Sequence, residues 1–395
     1  MSFAHIIIVG ASAAGISAAR EIRATNKDMR ITLLSDESSI PYYRPFLTEF
    51  IRNKRVTEKP NFFLNPAEWY RDNNITLRLG EKVLAIDPRN KSVATSKEPA
   101  LLYDKLIFAN GSSPFIPLPG SLEKSNVFAI RTYDDAVRAH EFAGGVKNAI
   151  VIGGGLLGLE AADSLSARGA AVTVIEMSPR ILPRQLDAEG SGFLEDIINK
   201  KKVSLLLERC VEAIAGAERA DSVVLNTGEK IQTGMIIFSI GVRPNCELAK
   251  KCGVEVNRAV VVNERMETSL LDIYACGDVA EYNKKNPCLW MPAMKQGKVA
   301  GANAAGGKSI FADELYPAVL NSFGTHVYSI GEIPNEDMEG RMEFKAIDKE
   351  KNNYKKLFFK NDRLAGFMLI GDIRDSQKLN QAMKKGMTYK ETVGE

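Results

Sequence analysis

Cysteine is scarce in this chain, and its few cysteines follow no recognisable spacing. Five occur in 395 residues, at positions 210, 246, 252, 276 and 288, and no CxxC pair is present. This scattered, odd number excludes the disulfide framework of a small secreted domain and offers no metal-binding spacing. We therefore expect reduced thiols in a cytoplasmic protein, each packed as a small apolar side chain.

Long apolar runs and a large excess of one charge are also missing. The longest small-apolar run, residues 6–19, is interrupted by Gly10, Ser12 and Gly15 and is too short to span a bilayer. The opening MSFAHIIIVG has no basic segment and no cleavage site, so we expect no signal peptide. Net charge is only +3, from 52 basic and 49 acidic residues, which argues against nucleic acid as the main partner.

Two segments carry the pattern of a strand, a glycine-rich turn, a helix and a second strand. In the first, residues 5–37, HIIIVG is followed by GASAAG, a helical stretch and RITLLSDE. Gly10 and Gly15 match the first and third glycines of GxGxxG, Ser12 takes the middle position and Ala14 precedes the third glycine. Serine is small enough to let the backbone approach a pyrophosphate at the helix N-terminus. This segment is predicted to bind one dinucleotide.

The second segment, residues 148–176, reads NAIVIGGGLLGLEAADSLSARGAAVTVIE. Gly153, Gly155 and Gly158 complete GxGxxG, and Glu176 ends the following strand about 20 residues later, as the dinucleotide fingerprint requires. Two dinucleotides on one chain indicate a hydride relay between a nicotinamide and a flavin.

Glu176 also bears on the choice of nicotinamide. A carboxylate at this position would accept hydrogen bonds from an adenosine ribose and would repel the extra phosphate of NADP. We therefore predict NADH rather than NADPH, with Arg180 close enough in sequence to soften the preference.

Three further stretches follow in order: LLYDKLIFANGSSP (101–114), IIFSIGVRPN (236–245) and TSLLDIYACGDVAE (268–281). Together with the two glycine motifs, they resemble the two-dinucleotide-binding flavoproteins, the pyridine nucleotide–disulfide oxidoreductase superfamily. The resemblance implies an α/β fold with two Rossmann-like domains, one for FAD and one for NAD, plus a small α+β C-terminal domain. The implied bounds are 1–113 and 246–312 for the FAD domain, 114–245 for the NAD domain and 313–395 for the C-terminal domain.

The resemblance also implies which residues contact FAD. Besides the first glycine motif, the expected contacts are Glu37 (with Asp36 as the alternative), Arg44, Val83, Ala109, Asn110, Gly111, Arg131, Gly277, Asp278, Lys295 and Gln296. Glu37 would bind the ribose, the backbone of Val83 the adenine, and Asp278 the ribityl chain. Ordinary structural roles are the alternative for Val83 and Arg131.

For two of these implied sites the resemblance also indicates where they lie relative to the domains and the flavin. Residues 109–111 would line the crossover between the two domains, where Asn110 replaces the threonine usual in the family. Residues 295–297 would start a helix whose N-terminus points at the flavin pyrimidine, because a positive dipole end stabilises the anionic reduced flavin.

The loop after the second strand, SDESSIPYYRPFLTEF (35–50), contains no cysteine. Disulfide reductases of the superfamily carry CxxxxC after the first helix, and NADH oxidases and coenzyme A disulfide reductases carry one cysteine in this loop. No thiolate here can relay electrons from the flavin. The PYYRPxLxE pattern resembles NADH:rubredoxin reductases and the flavoprotein portion of nitrite reductases, in which Arg44 would contact the FAD phosphate or ring edge.

Ferredoxin reductases of oxygenase systems instead read PYxRPPLSK, and their lysine pairs with a glutamate that matches Glu160. This chain has Thr48 and Glu49 there, so the surroundings of flavin N5 are expected to differ. Glu160 and Glu49 are the candidate catalytic residues. Glu160 would orient the nicotinamide, with an ordinary helix-face carboxylate as the equal alternative.

The expected function is therefore an FAD-dependent NADH oxidoreductase. It would pass a hydride to the flavin and then single electrons to a small acidic carrier, rubredoxin or a similar iron protein, without an obligatory protein acid or base. We expect neither a membrane nor a nucleic acid as partner. Two alternatives stay open: an NADH oxidase that reduces oxygen, and a non-enzymatic flavoprotein that senses NADH.

Overall fold

We describe a computed structural model of the chain for residues 4–334 and 341–394. Up to residue 114 the elements are β1 (His5–Val9), α1 (Ala13–Thr25), β2 (Arg30–Leu34), α2 (Leu47–Arg52), α3 (Ala67–Asp72), β3 (Ile75–Arg78), β4 (Val83–Asp87), β5 (Ser92–Thr95), β6 (Leu101–Leu102), β7 (Lys105–Phe108) and β8 (Ser112–Pro114). A 3-10 turn, Arg44–Phe46, leads directly into α2.

The apolar run HIIIV forms the centre of the first sheet. As β1 it is buried throughout and lies between β2 and β7, parallel to both. When both faces of a sheet are covered, the side chains on both sides of a central strand are buried, which is why the run is continuously apolar. We call this sheet and the helices packed on it the outer unit.

The next elements form an inserted unit. They are β9 (Val127–Ala129), α4 (Tyr133–Phe142), β10 (Asn148–Ile152), α5 (Leu156–Ala167), β11 (Ala171–Ile175), α6 (Ala188–Asn199), β12 (Val203–Leu206), β13 (Val211–Ala215), β14 (Ser222–Leu225), β15 (Lys230–Gln232), β16 (Met235–Phe238) and β17 (Val242–Pro244). The main sheet has the order β12-β11-β10-β16-β9 and is parallel, and β13-β14-β15 form a small antiparallel sheet.

After the inserted unit the chain returns to the outer unit. Its elements there are α7 (Glu247–Lys251), β18 (Val260–Val262), β19 (Ile273–Ala275), β20 (Ala280–Tyr282) and α8 (Trp290–Ala304). Strand β19 completes the first sheet in the order β19-β7-β1-β2-β3. The antiparallel pair β8 and β17 carries the two connections between the units. The predicted domain limits 113/114 and 245/246 stay a prediction.

The C-terminal unit is an antiparallel sheet with two short helices. Its elements are β21 (Ala318–Ser322), β22 (Thr325–Gly331), β23 (Arg341–Asp348), β24 (Asn353–Lys360), β25 (Arg363–Ile370), α9 (Ser376–Lys385) and α10 (Tyr389–Val393), in the sheet order β21-β22-β25-β24-β23. Leu320, Tyr354 and Met368 share a buried core with Leu186 and Leu194 of the inserted unit. This sheet therefore packs against the inserted unit.

The helices of the part of the chain described here are too short or too polar for a membrane span.

Candidate functional site

The first glycine motif forms a tight cradle between β1 and α1. Gly10 has φ +110°, and a side chain on Gly15 would overlap the Gly10 carbonyl oxygen, so neither position accepts a Cβ. Ser12 is the N-cap residue of α1, yet its hydroxyl makes no cap hydrogen bond. The N–H groups of the first helical turn and this hydroxyl are therefore available to an anion.

The second motif repeats the geometry between β10 and α5. Gly153 has φ +113°, and a side chain on Gly158 would overlap the Gly153 carbonyl oxygen. At Gly155, by contrast, a Cβ would meet only open space. The middle position thus faces the ligand side of the cradle, which explains why the first cradle tolerates Ser12 at the same place.

Glu176 is bound to the second cradle. Its carboxylate accepts hydrogen bonds from the backbone N–H of Gly154, at 2.6 Å, and of Ser178, at 2.8 Å. The predicted ribose acceptor therefore lies beside the glycines, at the carboxyl end of β11, because the parallel strands β10 and β11 end at the same edge of the sheet.

Glu37, Tyr42 and Arg44 form one cluster beside the first cradle. Tyr42 Oη and Arg44 Nη2 each donate to a different oxygen of Glu37, at 2.6 and 2.7 Å. Arg44 also donates to the carbonyl of Arg131. Its Nε is buried and has no hydrogen-bond partner within the described residues. A buried unpaired donor is costly, and a bound phosphate would satisfy it.

The groups of this cluster and their burial shift the pKa values of Arg44 and Tyr42. Burial lowers the pKa of Arg44, but Tyr42 and Glu37 more than offset it, so the net shift is upward. Burial raises the pKa of Tyr42 well above its usual range. Arg44 therefore stays a cation and Tyr42 a neutral donor at any physiological pH.

Asp278 is the centre of a second polar cluster, close to the connection between the units. It accepts hydrogen bonds from Arg131 Nη2 at 2.9 Å and from Ser112 Oγ at 2.7 Å. The neighbouring N–H of Gly277 donates to the buried Gln296, at 2.8 Å. A Cβ at Gly277 would approach Ala14 to 2.8 Å, so this cluster borders the first cradle.

Asn110 ties the two connections together. Its side-chain nitrogen donates to the carbonyl of Asn245, and the side chain of Asn245 donates back to the carbonyl of Asn110, both at 2.8 Å. The preceding Ala109 is buried against Gly10, and Gly111 lies next to Arg131. The Asn110 side chain makes one of these bonds through its amide nitrogen, and the other ends on the Asn110 backbone carbonyl.

The prediction that residues 295–297 start a helix was wrong. Helix α8 begins at Trp290, five positions before Lys295, because Pro292 is accommodated in the first turn, where N–H groups have no helical partner. A side chain on Gly297 would overlap the Ala14 carbonyl oxygen, so this glycine serves helix packing. Lys295 forms an ion pair with Glu314 at 2.6 Å.

The structure separates the two candidate catalytic carboxylates. Glu49 lies at the surface in an ion pair with Lys59, at 2.7 Å. Glu160, on α5, accepts a hydrogen bond from Thr48 Oγ1 of α2 at 2.7 Å. No basic side chain forms an ion pair with Glu160 in the part of the chain that the structure describes. Thr48 thus holds the place beside Glu160, and we assign no chemical role to Glu49.

Burial raises the pKa of the Glu160 carboxyl to about 7; the hydrogen bond from Thr48 lowers it, and the nearby Glu49 and Asp163 raise it further. This carboxyl therefore changes its charge near neutral pH.

Sequence reasoning missed several residues of this region. The sequence did not predict that Tyr42 pairs with Glu37 or that Asn245 pairs with Asn110. Ser164 and Arg168 were not singled out at all. Their spacing from Glu160, four and eight residues along one helix, is a signal that could have placed all three on one face.

Two family models match the chain. Residues 4–297 match the family described as pyridine nucleotide-disulphide oxidoreductase, and residues 317–387 match the rubredoxin NAD+ reductase C-terminal domain. The chain belongs to the pyridine nucleotide-disulphide oxidoreductase family. The resemblance inferred from the motifs is confirmed, and members of this family use FAD and NAD(P)H.

The chain is similar to several curated proteins. It is 35% identical over 384 residues to the assimilatory nitrate reductase electron transfer subunit of Bacillus subtilis, covering 96% of this chain and 49% of that one. A nitrite reductase [NAD(P)H] of the same organism is 33% identical over 391 residues, with 98% and 48% covered. The chain thus spans about half the length of these two relatives.

Another relative matches along its whole length. The NADH-rubredoxin oxidoreductase of Clostridium acetobutylicum is 32% identical over 391 residues, covering 98% of this chain and 97% of that protein. The crystal structure of NADH:rubredoxin oxidoreductase from that organism superposes with a TM-score of 0.80, covering 98% of this chain and 96% of the other at 32% identity. The predicted fold class, two Rossmann-like units plus a smaller α+β C-terminal unit, is confirmed.

Proposed function

We propose that this chain is an FAD-dependent NADH oxidoreductase that delivers electrons to a small acidic iron protein, rubredoxin. The observation that carries the proposal is the pairing of two dinucleotide cradles with a cysteine-free loop, residues 35–50, in which the Glu37–Arg44 cluster replaces a redox thiol. Similarity to an NADH-rubredoxin oxidoreductase over nearly its whole length, and to a rubredoxin reductase C-terminal domain, supports rubredoxin as the carrier.

FAD would be held by groups around the first cradle. We assign its pyrophosphate to the N-terminus of α1, where N–H groups and the helix dipole favour an anion. The unpartnered Nε of Arg44 is a further donor for these phosphates. We assign the ribose to Glu37, whose oxygens each keep a free lone pair, and the ribityl chain to Asp278. When bound, the flavin accepts a hydride and releases electrons singly.

NADH would be held by the second cradle. Its pyrophosphate would lie at the N-terminus of α5, and its ribose would donate hydrogen bonds to Glu176. Because Glu176 already accepts two backbone N–H bonds, it is held in place to repel an extra ribose phosphate. We assign to Glu160 the orientation of the nicotinamide. Its ionised carboxylate would accept a hydrogen bond from the N–H group of the carboxamide.

The cysteines support a route that bypasses thiols. Cys288 lies near Asp278 and Arg131, and burial raises its pKa to about 12, so it stays a protonated thiol at neutral pH. Cys276 precedes Gly277 and Asp278 in sequence, and complete burial raises its pKa well above the usual range. All five cysteines are free of disulfide bonds. Reduced thiols fit a reducing compartment, and we therefore propose the cytoplasm as the location.

Anaerobic stopped-flow mixing tests the proposal. The FAD-loaded protein is reduced with NADH or NADPH and then mixed with oxidised rubredoxin, ferredoxin or oxygenated buffer. We expect faster reduction by NADH, and reoxidation by rubredoxin that is fast, slowed by salt and faster than reoxidation by oxygen. Fast reoxidation by oxygen alone would identify an NADH oxidase instead. A reduced flavin that persists with every acceptor would favour the alternative function, a non-enzymatic flavoprotein that senses NADH.

A further inference from the structure

Helix α5 and its C-cap residue, Arg168, carry a row of polar side chains that all bind the short helix α2. Glu160 accepts from Thr48 Oγ1 at 2.7 Å. One turn on, Ser164 Oγ donates to the Thr48 carbonyl at 2.8 Å, and after another turn Arg168 Nη1 donates to the Ile51 carbonyl at 3.0 Å. Residues four apart lie on one face of a helix, so the three contacts form a continuous row.

The row joins two parts of the chain that belong to different units. Helix α2 precedes both connections in sequence and follows the loop of Arg44, yet Ile51 is completely buried in the core of the inserted unit. Arg168 lies 2.7 Å from His140 Nδ1 of α4, so two helices of the inserted unit meet at the end of α2. The carbonyls at that end have no helical donors, and Arg168 supplies one.

The covalent connection between the units is slight by comparison. It runs through β8 and β17, three residues each, and two hydrogen bonds between Asn110 and Asn245 hold these two segments side by side. A two-stranded ribbon of this size is a hinge that leaves orientation to other contacts. The row on α5 supplies such contacts at one end of the site, because α5 starts at the NADH cradle and α2 continues from the Arg44 turn.

We propose that Ser164 and Arg168 are positioning residues for hydride transfer. They hold α5, and with it the nicotinamide in the cradle at its N-terminus, at a fixed place relative to the flavin. The inference rests on the proposed function. Arg168 lies thirteen residues from Gly155, roughly 20 Å along the helix, so it acts without touching either cofactor. Hydride transfer is sensitive to such placement, since a shift of about 1 Å can cost about 100-fold in rate.

The test uses the FAD-loaded variants Ser164→Ala and Arg168→Met, with Arg219→Met as the matched control. Arg219 belongs to the inserted unit, where its guanidinium donates to the Gly234 carbonyl and lies over the Phe142 ring. We expect the limiting rate of flavin reduction by NADH to fall about 10- to 100-fold in the two variants and to stay unchanged in the control. The NADH concentration at half-saturation should change much less than this rate.

Two further readouts separate positioning from a general loss of structure. The long-wavelength charge-transfer absorbance of the NADH-mixed protein, which requires stacked rings, should weaken in both variants and partly return in Arg168→Lys. Amide hydrogen exchange of residues 47–58 in the holoenzyme should be faster in Ser164→Ala and Arg168→Met than in the control. If Arg168→Met does not fold, the limiting rate and charge-transfer absorbance of Ser164→Ala alone test the inference.

Unchanged limiting rates and charge-transfer absorbance in Ser164→Ala and Arg168→Met would overturn the inference, even if α2 exchanges faster. Such a result would leave the proposed function intact, because the unaltered protein would still be reduced by NADH and reoxidised by rubredoxin. If NADH does not reduce the unaltered protein at all, the proposed function itself fails. The two failures are therefore distinct.

Discussion

Glu160 occupies an unusual position for a carboxyl group. It receives one hydrogen bond, from Thr48, and among the residues that the structure describes it has no ion-pair partner. Because the carboxyl is partly buried and the nearby charges of Glu49 and Asp163 are negative, its pKa rises from 4.5 to about 7. At the position of the usual lysine the sequence has Glu49, and Thr48 precedes it. That Thr48, and not Glu49, lies beside the partly buried Glu160 carboxyl follows only from the packing of α2 on α5.

We predict that the Glu160→Gln variant is more stable than the unaltered protein at pH 8 and nearly as stable as the unaltered protein at pH 4.5. The folded-state pKa of Glu160 lies above the unfolded value, so the folded state holds more protons between about pH 4.5 and 7. Stability of the unaltered protein therefore falls across this window, by up to about 3 kcal/mol, and glutamine removes that loss.

Urea unfolding at several pH values measures the difference. Glu212→Gln, at an exposed position on β13, is the control and should follow the unaltered protein. Parallel stability profiles for the unaltered protein and Glu160→Gln would contradict the prediction. The same variant should also lose the rise in NADH reduction rate that we expect through about pH 7, where Glu160 ionises.

At the scale of elements, the close contact of α1 and α8 shapes the first cradle. Side chains on Gly297 and Gly301 would overlap the carbonyl oxygens of Ala14 and Ala18. The two glycines are four residues apart, as are the two alanines, so the helices meet along matching small-residue faces. The glycine motif at α1 was predictable because strand, turn and helix are consecutive in sequence. Its support by α8 was not, because the two helices are more than 260 residues apart.

We predict that Gly297→Ala destabilises the protein, whereas Gly192→Ala in α6 does not. A methyl group on Gly297 forces the helices apart at a cost of about 1–3 kcal/mol, which exceeds the gain of about 1 kcal/mol in helix propensity. At Gly192 a Cβ would meet open space, so the gain of up to about 1 kcal/mol stands alone. Urea unfolding of both variants checks this, and FAD retention should fall only in Gly297→Ala. Equal effects of both substitutions would refute it.

At the scale of the whole molecule, a buried cation joins the C-terminal and inserted units. Lys356 on β24 lies 2.8 Å from Asp187, 3.0 Å from Glu343 and 3.8 Å from Glu189. Asp187 is also the N-cap of α6, accepting the N–H of Gly190 at 2.7 Å. Asp187 therefore gains the Lys356 cation only when the units are docked, whereas Glu343 pairs with Lys356 within the C-terminal unit.

We predict that Lys356→Met destabilises this docking by about 3–5 kcal/mol, because Asp187 stays buried without its cation. Lys355→Met is the matched control: Lys355 forms an ion pair with Asp375, whose side chain is 56% exposed, so we expect a change of no more than about 1 kcal/mol. Urea unfolding, followed by limited proteolysis to find which unit opens first, distinguishes them. Similar losses in both variants would show that the buried cluster does not hold the units together.

The sequence by itself determined the two cradles, the family and the missing redox cysteine. These features depend on residues close together in the chain, since glycines with positive φ and continuously apolar strands are local requirements of the strand–turn–helix unit. Tertiary structure alone decided that Glu37 is shared by Tyr42 and Arg44, that α8 begins at Trp290, and that α2 packs on the inserted unit. Each of these depends on which groups meet after burial, and groups distant in sequence are brought together only by the packing of the whole chain.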